Sequence, residues 1–211
     1  MTLPKGKELQ VDQIKTKGDN FAYIIWDELD RQAVVIDPGF NGDEVVSRAK
    51  KEALNIRLII ATHHHLDHSA GMRKVKEELG GDLAAHKLTK LKTDRKLSDG
   101  ETIQIGSLEM RIIHTPGHTD DGISILIDGA VFTGDTLFIG ECGRTDLPGG
   151  DSRALFESLF GKLLKLADDT RVYPGHDYGK SPHSTIGEER KSNYTLERRT
   201  VEEFVNFMNE P

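Results

Sequence analysis

Four histidines and one aspartate stand within six positions, directly after a short apolar segment. Residues 58–62 are short enough to form a buried strand, and the polar cluster begins where that strand would end. Residues two apart in an extended segment point the same way, so His63 and His65 can share a partner. Asp67 and His68 come just before a predicted helix and can face a neighbouring position. Because imidazole and carboxylate groups are common metal ligands, the segment predicts two adjacent metal sites.

Three later segments share one layout, in which a strand signal is followed by a turn-forming residue and then by a possible ligand. A Pro-Gly turn precedes His118, a Thr-Gly pair precedes Asp135, and a second Pro-Gly pair precedes His176. Sheet-based enzymes place functional side chains on loops that a rigid scaffold holds. We therefore expect these three residues to complete the site that residues 63–68 begin.

The motifs T-H-x-H-x-D-H, G-H-T, T-G-D and P-G-H, in this order, resemble those of the metallo-β-lactamase superfamily. They stand at 62–68, 117–119, 133–135 and 174–176. Asp37, in V-V-I-D-P-G, matches the early aspartate of this family, which usually supports the site without binding metal. The resemblance runs from about residue 21 to about residue 193, and five ordered motifs are far more specific than one. It implies an α/β fold, a four-layer αββα sandwich with the metal site at one edge of the two sheets.

The resemblance also implies two ligand sets that meet at one residue. The first set contains His63, His65 and His118, and it leaves a coordination position open for water. The second set contains Asp67, His68 and His176. Asp135 is able to bridge the two sets, and Asp67 is the candidate catalytic residue. We therefore expect two divalent metal ions, with zinc as the first choice and iron or manganese as alternatives.

Within the superfamily, further segments are most similar to glyoxalase II-like thioester hydrolases and to their persulfide dioxygenase relatives. These segments are G-R-T-D at 143–146, G-G-D at 149–151 and H-D-Y at 176–178. A metal ion lowers the pKa of bound water from about 16 to roughly 7. The leading prediction is therefore a metal-dependent hydrolase that cleaves a thioester, as hydroxyacylglutathione hydrolase does, by metal-bound hydroxide. The ligand loop, with Leu66 and S-A-G at 69–71, follows the hydrolases.

A different chemistry is open to part of the same ligand set. His63, His118 and Asp135 alone form the two-histidine, one-carboxylate arrangement that supports iron(II) and oxygen activation. The tail segments at 184–189 and 202–205 resemble those of the persulfide dioxygenases. A mononuclear iron enzyme that oxidises glutathione persulfide to sulfite is therefore the alternative function.

Two residues are candidates for binding a small-molecule substrate, such as a glutathione thioester. Arg144 is a possible anion clamp, because its guanidinium fork matches a carboxylate, and a structural salt bridge is the alternative. Tyr178 either binds substrate beside His176 or packs there. His64 is expected to face away from the ligands. The residues without a predicted role are His86 and His183 on the surface, His114 at the end of a strand, and Cys142 in the interior.

Composition predicts a single domain over residues 1–211. Hydrophobic residues make up 36% of the chain and charged residues 30%, which suits a sizeable core under a charged surface. No apolar run approaches the roughly 20 residues of a membrane span, and the first residues lack the apolar core of a signal peptide. With its single cysteine, the chain is expected to be cytoplasmic. Its net charge of -7 argues against a nucleic-acid partner, and the oligomeric state is not predicted.

Strand and helix signals alternate along the chain. The predicted strands are residues 21–26, 33–36, 58–62, 83–85, 108–114, 123–127, 130–132 and 171–173. The predicted helices, in which apolar residues recur at helical spacing, are 41–54, 69–79, 151–167 and 200–209.

Overall fold

The first half of the chain forms a six-stranded mixed sheet. The computed structural model describes residues 9–16, 18–40 and 42–210. The strands of this sheet, in spatial order, are β1 (Leu9–Lys15), β2 (Phe21–Asp27), β3 (Gln32–Ile36), β4 (Asn55–Ile60), β5 (Asp82–His86) and β6 (Arg95–Leu97). The first three strands pair antiparallel and the last four pair parallel, so β3 belongs to both arrangements.

The second half forms another six-stranded sheet. Its strands are β7 (Thr102–Ile105), β8 (Leu108–His114), β9 (Ile123–Ile127), β10 (Ala130–Gly134), β11 (Arg171–Pro174) and β12 (Ser184–Thr185). Neighbouring strands in this sheet follow chain order from β7 to β12. They pair antiparallel except for β10 and β11, which are parallel.

Helices follow the strands in both halves. The first half contains α1 (Gly42–Lys51), α2 (Leu66–Ser69) and α3 (Met72–Leu79). The second half contains α4 (Ser152–Phe156), α5 (Ile186–Ser192) and α6 (Val201–Met208). No helix in the described parts of the chain is both long and apolar enough to cross a membrane.

Side-chain alternation on the strands separates three apolar clusters. On β2, Tyr23 and Ile25 lie in the cluster between the two sheets, while Ala22 and Ile24 lie in the cluster that also contains residues of α1 and α3. The third cluster joins the outer face of the second sheet to α4, α5 and α6. These layers confirm the predicted four-layer αββα sandwich.

All eight predicted strands form, but several helices differ from their predictions. The predicted helix 69–79 begins three residues later, as α3, and Ser69 instead ends α2. Between the two helices the chain turns at Gly71, which lies against the backbone of Gly39. The predicted helix 151–167 is wrong as one regular helix. After α4 it widens into a π-helical segment, Glu157–Lys162, and ends in a 3-10 turn, Leu163–Lys165.

Candidate metal centre

The seven predicted ligands meet at one edge of the sandwich, between the two sheets. They lie on α2 and on the loops after β4, β8, β10 and β11. The seven residues are His63, His65, Asp67, His68, His118, Asp135 and His176. The first sheet supplies four of them and the second sheet supplies three. Most of these side chains are buried, and the half-buried ones are His65 and Asp67. Groups of opposite halves of the chain thus converge on one point.

Three imidazole nitrogens of the first set converge. His65 Nδ1 lies 3.0 Å from His63 Nε2 and 3.1 Å from His118 Nε2. Asp135 Oδ2 lies 3.9 Å from His63 Nε2 and 3.5 Å from His118 Nε2. Three imidazole nitrogens and one carboxylate oxygen around one point form a donor set typical of zinc or iron sites.

The second set lies on the other side of Asp135. His68 Nε2 and His176 Nε2 are 3.3 Å apart, and Asp67 Oδ2 lies 3.6 Å from the first and 3.5 Å from the second. Asp135 Oδ1 is 3.3 Å from His68 Nε2, and Asp135 Oδ2 is 3.3 Å from His176 Nε2. The carboxylate of Asp135 therefore reaches both sets.

Asp37 orients His68, a histidine of the second set, through its outer ring nitrogen. It follows β3 with φ of +48°, which turns its buried carboxylate towards the ligand loop. Oδ1 accepts the backbone N–H of Thr62 at 2.7 Å, and Oδ2 accepts the Thr62 hydroxyl at 2.6 Å. Oδ2 also lies 2.9 Å from His68 Nδ1. With Nδ1 bonded to this carboxylate, Nε2 of His68 is left to face the site.

Two other histidines are oriented in the same way. His176 Nδ1 lies 3.0 Å from Asp19 Oδ1, and His118 Nδ1 lies 2.8 Å from the carbonyl oxygen of Arg144. Each contact accepts the Nδ1 proton and fixes the tautomer that presents Nε2 to the site. The sequence did not reveal Asp19. Its signal was a polar residue just before β2, at the edge of the sheet where the ligands lie.

Burial and charge act in opposite directions on the pKa values of the cluster. Burial lowers the pKa of His63 well below its usual value, and burial also lowers that of His65. The pKa of His68 is raised well above its usual value, because Asp135 and Asp37 outweigh the burial that would lower it. For Asp135, burial would raise the pKa, but His68 and the neighbouring histidines hold it well below its usual value. At neutral pH, Asp135 is therefore an anion.

Two observations show that the residues fit bound ions. Among the described residues, no group donates a hydrogen bond to Asp135 Oδ1, although the atom is fully buried. Gly175 precedes the ligand His176, and a methyl group in its place would collide with that same oxygen and with His68 Cε1. Within the described part of the chain, this oxygen therefore lacks a hydrogen-bond donor, and the glycine at residue 175 leaves it room that a side chain would fill, which fits a carboxylate that binds metal.

Residues 16–176 match the sequence profile of the metallo-beta-lactamase superfamily. The chain belongs to this superfamily. The match covers all seven predicted ligands and Asp37, so it agrees with the family expected from the motifs.

Relatives in this superfamily include enzymes of two reaction types. The chain is 35% identical over 193 residues to the human mitochondrial persulfide dioxygenase ETHE1, covering 89% of this chain and 75% of that protein. It is 31% identical over 201 residues to the hydroxyacylglutathione hydrolase GloC of Haemophilus influenzae, covering 84% of this chain and 92% of that protein. It is also 32% identical to a beta-lactamase hydrolase-like protein of Agrobacterium fabrum, matching 87% of this chain. The chain spans about half the length of that relative, 51%.

Two solved structures share the fold and a substantial part of the sequence. The structure of ETHE1 from Myxococcus xanthus has a TM-score of 0.90 and 33% identity, covering 96% of this chain and 92% of that one. The structure of TTHA1623 in a di-iron-bound form has a TM-score of 0.76 and 30% identity, covering 88% of this chain and 100% of that one. Members of this superfamily are metal-dependent enzymes, and the chain shares their fold.

A cavity of about 370 Å³ opens beside His118 and Asp135. Its wall contains both predicted substrate-binding residues, Arg144 and Tyr178. The ring of Tyr178 stacks on the ligand His176, with centroids 4.9 Å apart and planes 11° apart, and it is 52% exposed. Tyr178 therefore both packs against a ligand and faces the cavity.

The remaining histidines lie outside the metal cluster. His64 faces away from the ligands, as expected, and its Nδ1 lies 2.8 Å from the buried carboxylate of Asp121. The prediction that His86 lies on the surface is wrong. His86 is the last residue of β5 and is buried, and its ring stacks on that of His114, with centroids 3.9 Å apart. Burial, and to a smaller extent charge repulsion from His114, lowers the pKa of His86 to about 4. His183 is exposed, as predicted.

Cys142 has the environment of a structural thiol. It is half-buried, packs against the third apolar cluster, and its Sγ lies 3.8 Å from Met208 Sδ. Burial raises the pKa of the thiol to about 12. A thiol with this pKa is protonated at neutral pH and is a poor nucleophile.

Proposed function

We propose that this chain is a two-metal hydrolase that cleaves a thioester. One observation carries the proposal: both ligand sets are complete, and each histidine of the second set has its outer nitrogen held by a carboxylate. Asp37 holds His68, and Asp19 holds His176. Such outer contacts tune and orient metal ligands, so a second set equipped with them is built to bind its own ion. The similarity to GloC, which is named a hydroxyacylglutathione hydrolase, supports the same proposal.

The residues that would hold the two ions are the seven ligands described above. His63, His65 and His118 would hold one ion, and Asp67, His68 and His176 the other, with Asp135 between them. When bound, two such ions lower the pKa of water and stabilise the negative charge that develops on a carbonyl oxygen and on a leaving thiolate. The protein itself needs to supply only position, shape and a proton acceptor.

Asp67 is the residue placed to accept that proton. Asn20 Nδ2 donates to Asp67 Oδ2 at 3.0 Å, and this contact fixes the carboxylate plane. The contacts described above for this carboxylate are to Oδ2, and the side chain is 34% exposed, so water can reach it. We propose that Oδ1 takes the proton from the attacking water as the acyl carbon accepts the oxygen.

The alternative function, persulfide oxidation, is favoured by one specific observation. The structural similarity to ETHE1 of Myxococcus xanthus extends over nearly the whole chain, with a TM-score of 0.90. His63, His118 and Asp135 are the residues of this chain that would hold a single iron ion, and their ligand atoms face one another. In that case the second set would stay without metal.

Metal counting and oxygen dependence separate the two functions. Protein purified without added metal is analysed for metal content, as wild type and as His63→Ala, His176→Ala and the exposed control His183→Ala. A two-metal hydrolase should hold close to two ions, lose at least one in His63→Ala and in His176→Ala, and lose none in the control. It should release thiol from a thioester equally fast in air and under nitrogen.

A persulfide dioxygenase should give the opposite pattern. His176→Ala would keep one tightly bound iron, and the wild-type protein would consume oxygen only when a persulfide is present. Oxygen uptake with negligible thioester cleavage would overturn the proposed function.

A further inference from the structure

The cavity beside the metal centre has an uneven distribution of charge. Its wall combines two aromatic rings, Phe138 and Tyr178, with the charged side chains of Glu141 and Arg144. The two rings contact each other edge to face, with centroids 4.9 Å apart. A substrate that reaches Asp135 through this cavity must pass these four side chains.

Arg144 does not offer a free positive charge to that substrate. Its Nε donates to Asp146 Oδ1 and its Nη2 donates to Asp146 Oδ2, both at 2.6 Å. This is the two-pronged geometry in which a guanidinium binds a substrate carboxylate. The same contact lowers the pKa of Asp146 to about 2, so the partner is an anion at any physiological pH. Arg144 therefore forms a salt bridge, as the alternative prediction stated. Asp146 occupies the guanidinium group that would otherwise bind a substrate anion.

Glu141, in contrast, has no cation against it. Among the described residues, the partner of its carboxylate is a neutral hydroxyl, since Tyr194 Oη lies 2.8 Å from each of the two oxygens. The hydroxyl keeps the carboxylate in place without cancelling its charge. Because Arg144 and Asp146 neutralise each other, the wall of the cavity has a net negative charge.

The metal centre does not reverse that sign. Four carboxylates surround the cluster, and they are Asp19, Asp37, Asp67 and Asp135. Metal-bound imidazoles are neutral, so these four charges would balance two divalent ions. The field that a substrate meets in the cavity is therefore set by Glu141 and by the exposed ring of Tyr178. The negative face of an aromatic ring attracts cations.

We propose that Glu141 is a specificity-determining residue, and that the cavity takes thioesters whose leaving thiol is neutral or cationic and rejects anionic ones. This inference rests on the proposed thioester hydrolysis. In that reaction, water adds across the C–S bond: the acyl carbon gains the oxygen, and the sulfur leaves with the bonding pair and takes a proton. Thioesters of glutathione, whose two carboxylates outnumber its one ammonium group, would then be poor substrates of this enzyme.

Three acetyl thioesters of different charge test the inference on the metal-loaded enzyme. The probes are acetylthiocholine, S-acetyl-N-acetylcysteamine and S-acetyl-3-mercaptopropionate, which are cationic, neutral and anionic. We expect kcat/KM to be about tenfold lower for the anionic probe than for the cationic one. Glu141→Gln should remove most of this ratio, and Asp146→Asn should raise kcat/KM for the anionic probe about fivefold by freeing Arg144. The matched control Glu109→Gln, on the exposed face of β8, should keep the ratio of the wild type.

Binding of a cation provides a readout that does not depend on catalysis. Calorimetric titration with tetramethylammonium should show weak binding to the wild type, and at least fivefold weaker binding to Glu141→Gln. Equal kcat/KM for the three probes, or a charge preference unchanged in Glu141→Gln and Asp146→Asn, would overturn the inference while the hydrolase stands. If no thioester is cleaved but tetramethylammonium binds through Glu141, the proposed function fails and the charge selection of the cavity remains.

Discussion

Asp37→Asn should change the tautomer of His68. Asparagine retains one accepting oxygen but replaces the other with an amide group that donates. The backbone N–H of Thr62 requires the oxygen, so the amide nitrogen takes the place of Oδ2, opposite the ring nitrogen of His68. His68 Nδ1 must then accept a hydrogen bond, and the ring proton moves to Nε2. An imidazole whose Nε2 carries a proton cannot bind a metal with that atom.

The size of the effect follows from the contacts that are lost. Loss of an outer partner of a metal-bound histidine reduces metal affinity roughly 10–100-fold, which is about 1.4–2.7 kcal/mol. The Thr62 hydroxyl also loses its bond to a carboxylate, and a hydrogen bond to a charged group contributes about 1.5–3 kcal/mol. Asparagine tolerates the positive φ of this position, so the backbone should add no further cost. We expect a folded protein with one tight ion and one weakened ion.

Competition with a chromophoric chelator measures the two affinities, and the ¹⁵N shifts of the histidine rings report the tautomer. A suitable control is Asp94→Asn, because Asp94 also accepts a backbone N–H at 2.7 Å, from Leu83, but at the surface. Two ions bound with wild-type affinity, together with a proton still on His68 Nδ1, would refute the role that we give to Asp37.

Three further variants and conditions test other parts of the structure. Gly175→Ala should retain the fold by circular dichroism but bind less metal by elemental analysis, because the new methyl group collides with Asp135 Oδ1; unchanged metal content would contradict the packing. Because the pKa of His86 is lower in the folded chain than in the unfolded one, His86 of the unfolded chain is protonated first as pH falls from 6.5 towards 4. The free energy of unfolding should therefore fall by roughly 1–2 kcal/mol more in the wild type than in His86→Gln over that window, measured by urea denaturation, and equal slopes would contradict it. Cys142 should react slowly with iodoacetamide at pH 8 in the folded protein and at the rate of a free thiol in urea, and a fast reaction in the folded protein would show that its pKa is not raised.

The sequence was most informative where polar residues interrupt apolar strands. The central strands β8 and β9 have the predicted bounds, because a buried strand excludes charged residues on the core face and its limits show in the composition. The clustering of ligands at one edge of the sandwich could also be predicted, since each ligand follows a strand end. That placement depends on chain order and turns, which are local properties.

Elements at the sheet edges were missed for a physical reason. β1, β6, β7 and β12 are short or partly exposed strands, and their residues mix polar and apolar side chains. Such strands owe their conformation to pairing with a neighbour rather than to a pattern of their own. The helix α5 was missed for the same reason, since only its first residues and Glu189 are buried.

The contacts that depend on long-range packing could not be read from the sequence. Asp19 and His176 are distant in the chain and meet only because β2 and β11 approach the same edge. Asp146 is two residues from Arg144, but nothing in the sequence says that it occupies the guanidinium fork. The occupied fork changes the expected substrate, so the substrate class was less predictable than the metal cluster.

If the two ions bind as proposed, the division of the ligands between two sheets would make metal supply a determinant of protein lifetime. Neither sheet holds a full ligand set alone, because His118 comes from the second sheet in the first set and His176 in the second. Separation of the sheets therefore releases the ions, and each ion at a thousand times its dissociation constant would stabilise the folded chain by about 4 kcal/mol. Molecules that lack metal should open more often and be degraded sooner than their loaded copies. The amount of this protein in a cell would then follow the amount of available metal, without a separate sensor.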